Sequence, residues 1–174
     1  ERVLRRLEET GLKVNLEKCQ LLQSEVSYLG HTISAEGVSC QSDKVDVVKN
    51  WPTPTTVKEL RSFLGFAGYY RRFVKGYSKI AGPLHSLVNS AAPEKKGSDH
   101  RRRAGVRTLD GFWKSEHGLA FQTLKDRLIG AEVLAFADFT RPFILETDAS
   151  HDGLGAILSQ KQPDGTTRVI AYAS

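Results

Sequence analysis

The sequence contains no methionine, and its 174 residues include only two cysteines, Cys19 and Cys40. Neither cysteine belongs to a Cys-x-x-Cys pair or lies beside a histidine cluster, so neither a disulfide framework nor a zinc site is indicated. No apolar run approaches the roughly 20 residues needed to span a bilayer. Residues 1–6 contain neither an initiator methionine nor an apolar signal core. These absences predict an intracellular protein that is not a membrane protein and is a piece of a longer chain.

Positive charge slightly exceeds negative charge. The chain has 25 lysine and arginine residues against 20 aspartate and glutamate residues, a formal net charge of +5 with histidine neutral. A basic balance makes polyanions plausible partners, but many basic proteins bind nothing acidic, so the positions of the charges matter more than their sum. With 40% hydrophobic and 26% charged residues, the composition is that of a globular protein.

Hydrophobic periodicity and capping residues predict five helices. Gly11 stands where a left-handed C-cap would end the first, and Thr56 with Glu59 has the spacing of a capping box that starts the third. Pro83 predicts either the start of the fourth helix or a bend in it. The apolar stripe of the fifth includes Leu119. The predicted helices cover residues 1–10, a short stretch from Ser42 to the break at Trp51-Pro52-Thr53-Pro54, residues 57–73, residues 78–88 and residues 115–129.

Strands are predicted near both ends of the chain. Residues 13–40 read as short extended pieces, including residues 26–33, with a hairpin turn at Glu36-Gly37. Further along, three strands joined by turns rich in aspartate and glycine predict an antiparallel meander. These strands cover residues 143–148, 154–160 and 168–173.

Residues 89–111 interrupt the pattern. They hold Pro93, three glycines and the run Arg101-Arg102-Arg103, with almost nothing apolar to bury, so a linker is predicted. Basic linkers are usually solvated, and specific RNA contact by the arginine run is the alternative.

Three sequence blocks occur in a fixed order along the chain. The first block is Tyr28-Leu29-Gly30-His31. The second block is Trp51-Pro52-Thr53-Pro54, followed by residues 57–65 and by Tyr69-Tyr70-Arg71-Arg72-Phe73. The third block consists of residues 142–150, 153–160 and 170–174. In order and spacing these blocks resemble the reverse transcriptase and ribonuclease H region of gypsy-type long-terminal-repeat retrotransposon Pol polyproteins. They resemble gammaretroviral polyproteins more distantly.

The resemblance implies an α+β fold in which a helical thumb lies between a palm-end β-hairpin and the opening antiparallel strands of a ribonuclease H-like fold. The implied parts are the palm end with the primer grip at 1–40, the thumb at 41–90, a basic linker at 91–111, a connection at 112–141 and the first ribonuclease H strands at 142–174. The implied parent is an RNA-directed DNA polymerase with ribonuclease H activity that uses magnesium. Its implied partners are the primer-template duplex, the RNA/DNA hybrid and the rest of the Pol polyprotein, in a cytoplasmic retroelement particle with possible nuclear entry. The oligomeric state is left open.

Asp148 matches the first catalytic and metal-binding aspartate of the family's ribonuclease H domains. Without the resemblance, a turn-capping aspartate ahead of Ser150 and Gly153 is the commoner reading. Glu146 points to the same strand face, but the family does not use that position as a ligand. The family polymerase holds its metals on an adjacent Asp-Asp pair, which this sequence lacks, and the remaining ribonuclease H ligands are expected beyond Ser174. We therefore expect the segment alone to be inactive.

The third predicted helix has two distinct faces. A step of 100° per residue places an apolar set on one face and a set of cations, a glycine and an aromatic on the other. By resemblance to the family thumb helix, the second set contacts the duplex; an ordinary solvated face is the alternative. The apolar set is Leu60, Phe63, Leu64 and Ala67, the second set is Arg61, Gly65, Tyr69 and Arg72, and Lys58 and Lys75 extend its charge.

Residues 28–32 correspond by resemblance to the primer grip, which makes Tyr28, Leu29, Gly30 and His31 nucleic-acid-binding candidates. A plain β-hairpin with a buried tyrosine is the alternative. For the whole segment, two noncatalytic alternatives remain: a decayed or host-retained relic that binds nucleic acid or protein, and a connection module built on the ribonuclease H-like strands.

Overall fold

The computed structural model describes residues 1–91, 107–150 and 153–174. The predicted run Arg101-Arg102-Arg103 lies outside these residues. In chain order the N-terminal part forms α1 (Arg2–Glu9), a 3-10 turn (Leu16–Lys18) and the strands β1 (Glu25–Tyr28), β2 (His31–Ser34) and β3 (Gly37–Cys40). Gly11 follows α1 with φ +71°, which confirms the left-handed position predicted for it.

The first sheet is antiparallel, with the strand order β1-β2-β3. The predicted single extended piece over residues 26–33 is wrong, because the chain reverses between Tyr28 and His31. Leu29 and Gly30 make the turn with φ values of 48° and 79°. Two consecutive positive φ values are typical of the two-residue hairpin turn that matches the twist of paired strands.

The helical bundle consists of α2 (Ser42–Lys49), α3 (Val57–Tyr69), a 3-10 turn (Arg71–Phe73), α4 (Tyr77–Ser90) and α5 (Ser115–Ile129). The capping box is confirmed: the Thr56 side chain accepts from the Glu59 amide, and the Glu59 carboxylate accepts from the Thr56 amide. The predicted end of the third helix at residue 73 is wrong, since α3 stops at Tyr69. Pro83 lies well inside α4, so this helix does not start at the proline.

The core joins the helices on both sides of the undescribed segment 92–106. Phe63 of α3 is fully buried with its ring centroid 4.5 Å from that of Phe121 on α5. The predicted core face of α3, which is Leu60, Phe63, Leu64 and Ala67, is confirmed as buried. Leu119 was predicted in the apolar stripe of α5 but is 71% exposed. The spacing of the buried residues of α5 places residue 119 on the outer face of the helix. These buried residues include His117, Ala120, Phe121, Leu124 and Leu128.

The last residues of the predicted linker are packed. Leu109 is only 1% exposed. Its amide donates to the Thr55 carbonyl at 2.7 Å, and the Arg107 carbonyl accepts from the Val57 amide at 3.0 Å. Residues 107–109 therefore close the bundle beside the start of α3.

The second sheet is the predicted antiparallel meander, formed by β4 (Ile144–Ser150), β5 (Gly153–Lys161) and β6 (Thr167–Ala173) in that spatial order. Its β6 side faces the bundle, where the 3-10 turn Arg71–Phe73 contacts β6 and the Ser78 amide donates to Ser174 Oγ at 3.0 Å. β4 forms the opposite edge. The α+β architecture predicted from the sequence is thus confirmed. None of the helices in the described part of the chain is long and apolar enough to cross a membrane.

Candidate nucleic-acid interface and aspartate strand

The turn between β1 and β2 is held by two tyrosines at the end of α3. Tyr69 Oη donates to the Leu29 carbonyl, and Tyr70 Oη donates to the Gly30 carbonyl at 2.9 Å. The Gly30 carbonyl also accepts from the Gln41 amide at 3.2 Å. The first and second sequence blocks therefore meet in space, 40 residues apart, through backbone carbonyls and phenol hydroxyls.

His31 lies between this turn and the tyrosines. Its ring stacks on Tyr69 with centroids 5.4 Å apart and an interplanar angle of 13°, and it meets Tyr70 edge-on at 5.5 Å. Burial and, secondarily, the positive charge of Arg72 lower the pKa of His31 from its usual 6.5. Within the described residues its Nδ1 is buried without a hydrogen-bond partner. A neutral ring suits this stacked position, because protonation would place a second cation near Arg72.

The hairpin tip presents side chains to solvent. Tyr28 is 61% exposed and Leu29 is 69% exposed. The plain-hairpin alternative required a buried tyrosine at this place, and the structure does not have one. The tip is therefore a free surface of one aromatic and one aliphatic side chain, set on a backbone that α3 holds.

An exposed stripe runs along α3 toward the same turn. It consists of Lys58, Arg61, Gly65 and Tyr69, which follow each other at helical steps of three or four residues. Neither cation of the stripe takes part in an ion pair with any described residue. A Cβ added at Gly65 would meet no atom within 4 Å, so the glycine leaves a shallow gap that none of the described residues fills.

Arg72 departs from the predicted stripe. The helical step of 100° per residue no longer applies after Tyr69, where the chain tightens into the 3-10 turn. Arg72 Nη2 instead donates to the Ile170 carbonyl of β6 at 3.4 Å, and its guanidinium lies 5.7 Å from the Phe73 ring centroid. Arg72 thus connects the bundle to the second sheet.

Asp148 lies on β4 opposite Gly155 of β5, with its side chain exposed. It lines a cleft of about 280 Å³ whose other wall is Lys75 and Gly76, at the start of α4. Glu146 lines the same cleft, so the cleft contains two acidic residues and one lysine. Lys75, which was predicted to extend the charge of the α3 stripe, lines the cleft that contains Asp148.

The described residues do not form a metal site of their own. No group of three or more histidine, cysteine, aspartate or glutamate side chains within ranges 1–91, 107–150 and 153–174 could hold a metal ion. Two-metal chemistry requires several carboxylates to converge on the ions. Asp148 with Glu146 falls short of that set.

The sequence reasoning missed Tyr70. Its apolar neighbourhood marks it as a core residue, and it is buried, but its hydroxyl reaches the hairpin turn. One sequence signal could have indicated this contact: the first block contains a glycine, Gly30, and the second contains two adjacent tyrosines, Tyr69 and Tyr70. A Cβ on Gly30 would lie 2.6 Å from Tyr70 Oη, so only glycine fits there.

A hairpin fixed to a helical bundle, which in turn contacts a ribonuclease H-like meander, defines a reverse transcriptase-type segment. Residues 113–174 match the family described as the RNase H-like domain found in reverse transcriptase. Nearly the whole chain is similar to Pol polyproteins of transposons, which confirms the resemblance seen in the sequence.

The relatives show how much of such a protein the chain represents. It is 42% identical over 173 residues to the retrovirus-related Pol polyprotein from transposon opus of Drosophila melanogaster, covering 99% of this chain and 16% of that polyprotein. It is 33% identical over 172 residues to the transposon Tf2-3 polyprotein of Schizosaccharomyces pombe, covering 99% and 12%. The chain therefore spans less than a fifth of the curated relatives it matches.

The fold is also similar to a solved viral enzyme. The foamy viral protease-reverse transcriptase in complex with RNA/DNA hybrid superposes with a TM-score of 0.74 at 31% identity, over 99% of this chain and 21% of that one. The same viral protein in complex with dsDNA gives a TM-score of 0.73 at 31% identity, over 99% and 32%.

Proposed function

We propose that this chain is the part of a retrotransposon reverse transcriptase/ribonuclease H that grips the primer-template duplex. The observation that carries the proposal is the continuous surface formed by the α3 stripe and the hairpin tip. It begins with two cations that have no ion-pair partner among the described residues, Lys58 and Arg61. It ends at the exposed Tyr28 and Leu29.

The chemistry of this surface suits a sugar-phosphate backbone. Lysine and arginine side chains bind phosphates and release condensed counterions, which supplies affinity without base specificity. The gap at Gly65 allows a backbone to approach the helix closely, and Tyr69 offers an aromatic edge for packing on sugars. The foamy viral relatives were solved with RNA/DNA hybrid and with dsDNA, which supports a duplex as the ligand.

A salt titration with a stripe variant tests the proposal. We expect the Lys58→Gln, Arg61→Gln double variant to bind an RNA/DNA hybrid more weakly, with the slope of log affinity against log salt reduced by about 2, since each phosphate contact contributes about 1. Fluorescence anisotropy from low to high salt measures both quantities. The matched control is Arg127→Gln, Lys161→Gln, which removes two exposed cations from α5 and β5. Equal slopes for the two double variants would refute the gripping role.

Filling the gap at Gly65 separates binding from stability. We expect Gly65→Ala to raise the free energy of unfolding by about 0.5–1 kcal/mol, because alanine favours a helix interior over glycine. The same change should lower hybrid affinity, since the new methyl group occupies the approach to the helix. Gly118→Ala on α5, where a Cβ would make only an ordinary contact, 3.7 Å from Trp113 Nε1, is the control. It should stabilise similarly and leave affinity unchanged; a normal affinity for Gly65→Ala would place the duplex elsewhere.

For the complete parent protein we propose RNA-directed DNA synthesis and hydrolysis of RNA in the hybrid, with Mg²⁺ as the divalent metal and Asp148 as one ligand. The segment alone should be inactive, because its described carboxylates do not form a full metal site. Asp148→Asn in the full-length polyprotein should abolish cleavage of a labelled hybrid while DNA synthesis continues. Intact hybrid cleavage by that variant would instead favour a noncatalytic connection role for the meander.

A further inference from the structure

The β1–β2 turn and the end of α3 form one bonded unit. Two adjacent hydroxyls, on Tyr69 and Tyr70, donate to two adjacent carbonyls, on Leu29 and Gly30. Tyr69 bonds Leu29 and Tyr70 bonds Gly30, so each tyrosine bonds the residue 40 positions before it in the sequence. Bonds of this kind fix both the position and the rotation of the turn relative to the helix, which a single bond would not do.

The turn needs such support because its backbone is unfavourable. Leu29 has φ +48°, a left-handed conformation that a branched side chain rarely adopts. The two strands that it joins, β1 and β2, have only four residues each. The Tyr69 hydroxyl bonds the carbonyl of this same residue, so it stabilises the conformation that turns the Leu29 side chain outward.

The tyrosine rings are themselves held in place. Tyr70 is buried, with its ring centroid 5.1 Å from that of Phe66 and 4.9 Å from that of Tyr69. His31 stacks on Tyr69 and meets Tyr70 edge-on. The Tyr70 hydroxyl is therefore held by the core, and Tyr69, although 53% exposed, packs against Tyr70 on one ring contact and His31 on another. Both hydroxyls tie the turn to the end of α3.

We propose that Tyr69 and Tyr70 are positioning residues that lock the hairpin turn to α3. The hairpin tip and the α3 stripe then meet a ligand as one rigid surface instead of two that move independently. The lock is a property of the free chain. Only its consequence for duplex binding rests on the proposed function.

Hydrogen exchange on the free 174-residue chain tests the lock. We expect amides of residues 27–34 to exchange about tenfold faster in the Tyr69→Phe, Tyr70→Phe double variant, because two hydrogen bonds that hold the turn are lost. The matched control is Tyr77→Phe, which removes another hydroxyl that donates to a backbone carbonyl of α3, that of Leu64. Tyr77→Phe should leave those amides unchanged. Unchanged exchange in the double variant, or equal acceleration in the control, would overturn the proposal.

A compensating pair gives a second, independent readout. Gly30→Ala places a Cβ 2.6 Å from Tyr70 Oη, while the next Tyr70 atom, Cζ, is 3.7 Å away. Tyr70→Phe removes this hydroxyl and should therefore partly rescue Gly30→Ala. In the Gly30→Ala, Tyr70→Phe double variant, the amides of residues 27–34 should exchange more slowly than the sum of the two single-variant effects predicts. Additive effects would show that the turn and Tyr70 are not packed as a unit, and would also overturn the proposal.

Hybrid binding by the same variants separates this proposal from the proposed function. The double phenylalanine variant should lose about fivefold to tenfold in affinity with an unchanged salt slope, since no charge is removed. If hairpin exchange accelerates but the unchanged chain binds no hybrid at low salt, the lock stands and the gripping role fails. If the unchanged chain binds and the double variant binds equally well with unchanged exchange, the gripping role stands and the lock fails.

Discussion

Replacing Gly37 with alanine is expected to lower the free energy of unfolding by about 3 to 5 kcal/mol, the range for changes that combine backbone strain with lost core contacts. Gly37 has φ +139°, a conformation that side-chain-bearing residues rarely adopt. A Cβ there would lie 2.0 Å from the Leu134 carbonyl oxygen and 3.0 Å from its carbon. Both are backbone atoms, so no side-chain rotation can relieve the overlap.

The neighbouring hydrogen bonds explain why the clash is costly. Val38 and Leu134 exchange two backbone bonds, each 2.8 Å, and Leu134 is buried. The overlap can be relieved only by separating β3 from residue 134, which breaks both bonds and exposes the leucine. The first sheet would then lose its attachment to the segment between α5 and β4.

Urea denaturation followed by circular dichroism measures this loss. Gly165→Ala is the matched control, because Gly165 also has a positive φ, +87°, but a Cβ there meets no atom within 4 Å. The control should cost only about 1–2 kcal/mol, the strain of a left-handed residue. Equal losses for the two variants would show that the close approach to Leu134 contributes nothing.

The second large effect is expected at Phe63. Phe63→Ala should lower the free energy of unfolding by about 3–5 kcal/mol, because a fully buried ring leaves a cavity that the surrounding helices cannot close. The ring lies 4.5 Å from Phe121 and 5.5 Å from Trp51, measured between centroids. It therefore joins α3 to α5 and to the segment that precedes α3.

Phe139→Ala provides the control for the same chemical change. Phe139 is 87% exposed, so its loss should change stability by less than about 0.5 kcal/mol, as is usual at the surface. Thermal unfolding of Phe63→Ala, followed by tryptophan fluorescence from Trp51 and Trp113, should remain a single transition at lower temperature. Two separated transitions would mean that the helices before and after the undescribed segment unfold independently.

The sequence predicted the elements whose signals are local. The capping box at Thr56 and Glu59 lies within four residues, and α5 was placed at its observed bounds, Ser115–Ile129, by periodicity alone. The meander was also predicted, because each strand is bounded by its own turn residues. In these cases the residues that decide the structure are neighbours in sequence.

The features that the sequence did not predict depend on distant partners. Leu29 lacks the asparagine or aspartate that usually marks a tight hairpin turn, and its conformation is supported by a tyrosine hydroxyl 40 residues away. Leu109 appears isolated in a polar segment but is buried against residues at the start of α3. Arg72 does not lie on the predicted stripe, because α3 ends three residues earlier, at Tyr69. Its guanidinium instead donates to a backbone carbonyl of β6.

The position of β4 at the rim of its sheet affects how the isolated chain behaves in solution. No described strand pairs with the outer side of β4, which leaves a row of backbone donors and acceptors available to another chain. Leu145 is 64% exposed on this strand and Leu154 is 76% exposed beside it on β5, so apolar side chains flank the open rim. Concentrated samples should therefore self-associate by strand addition, and affinities for nucleic acid are best measured at low micromolar protein, where intermolecular β-pairing does not compete.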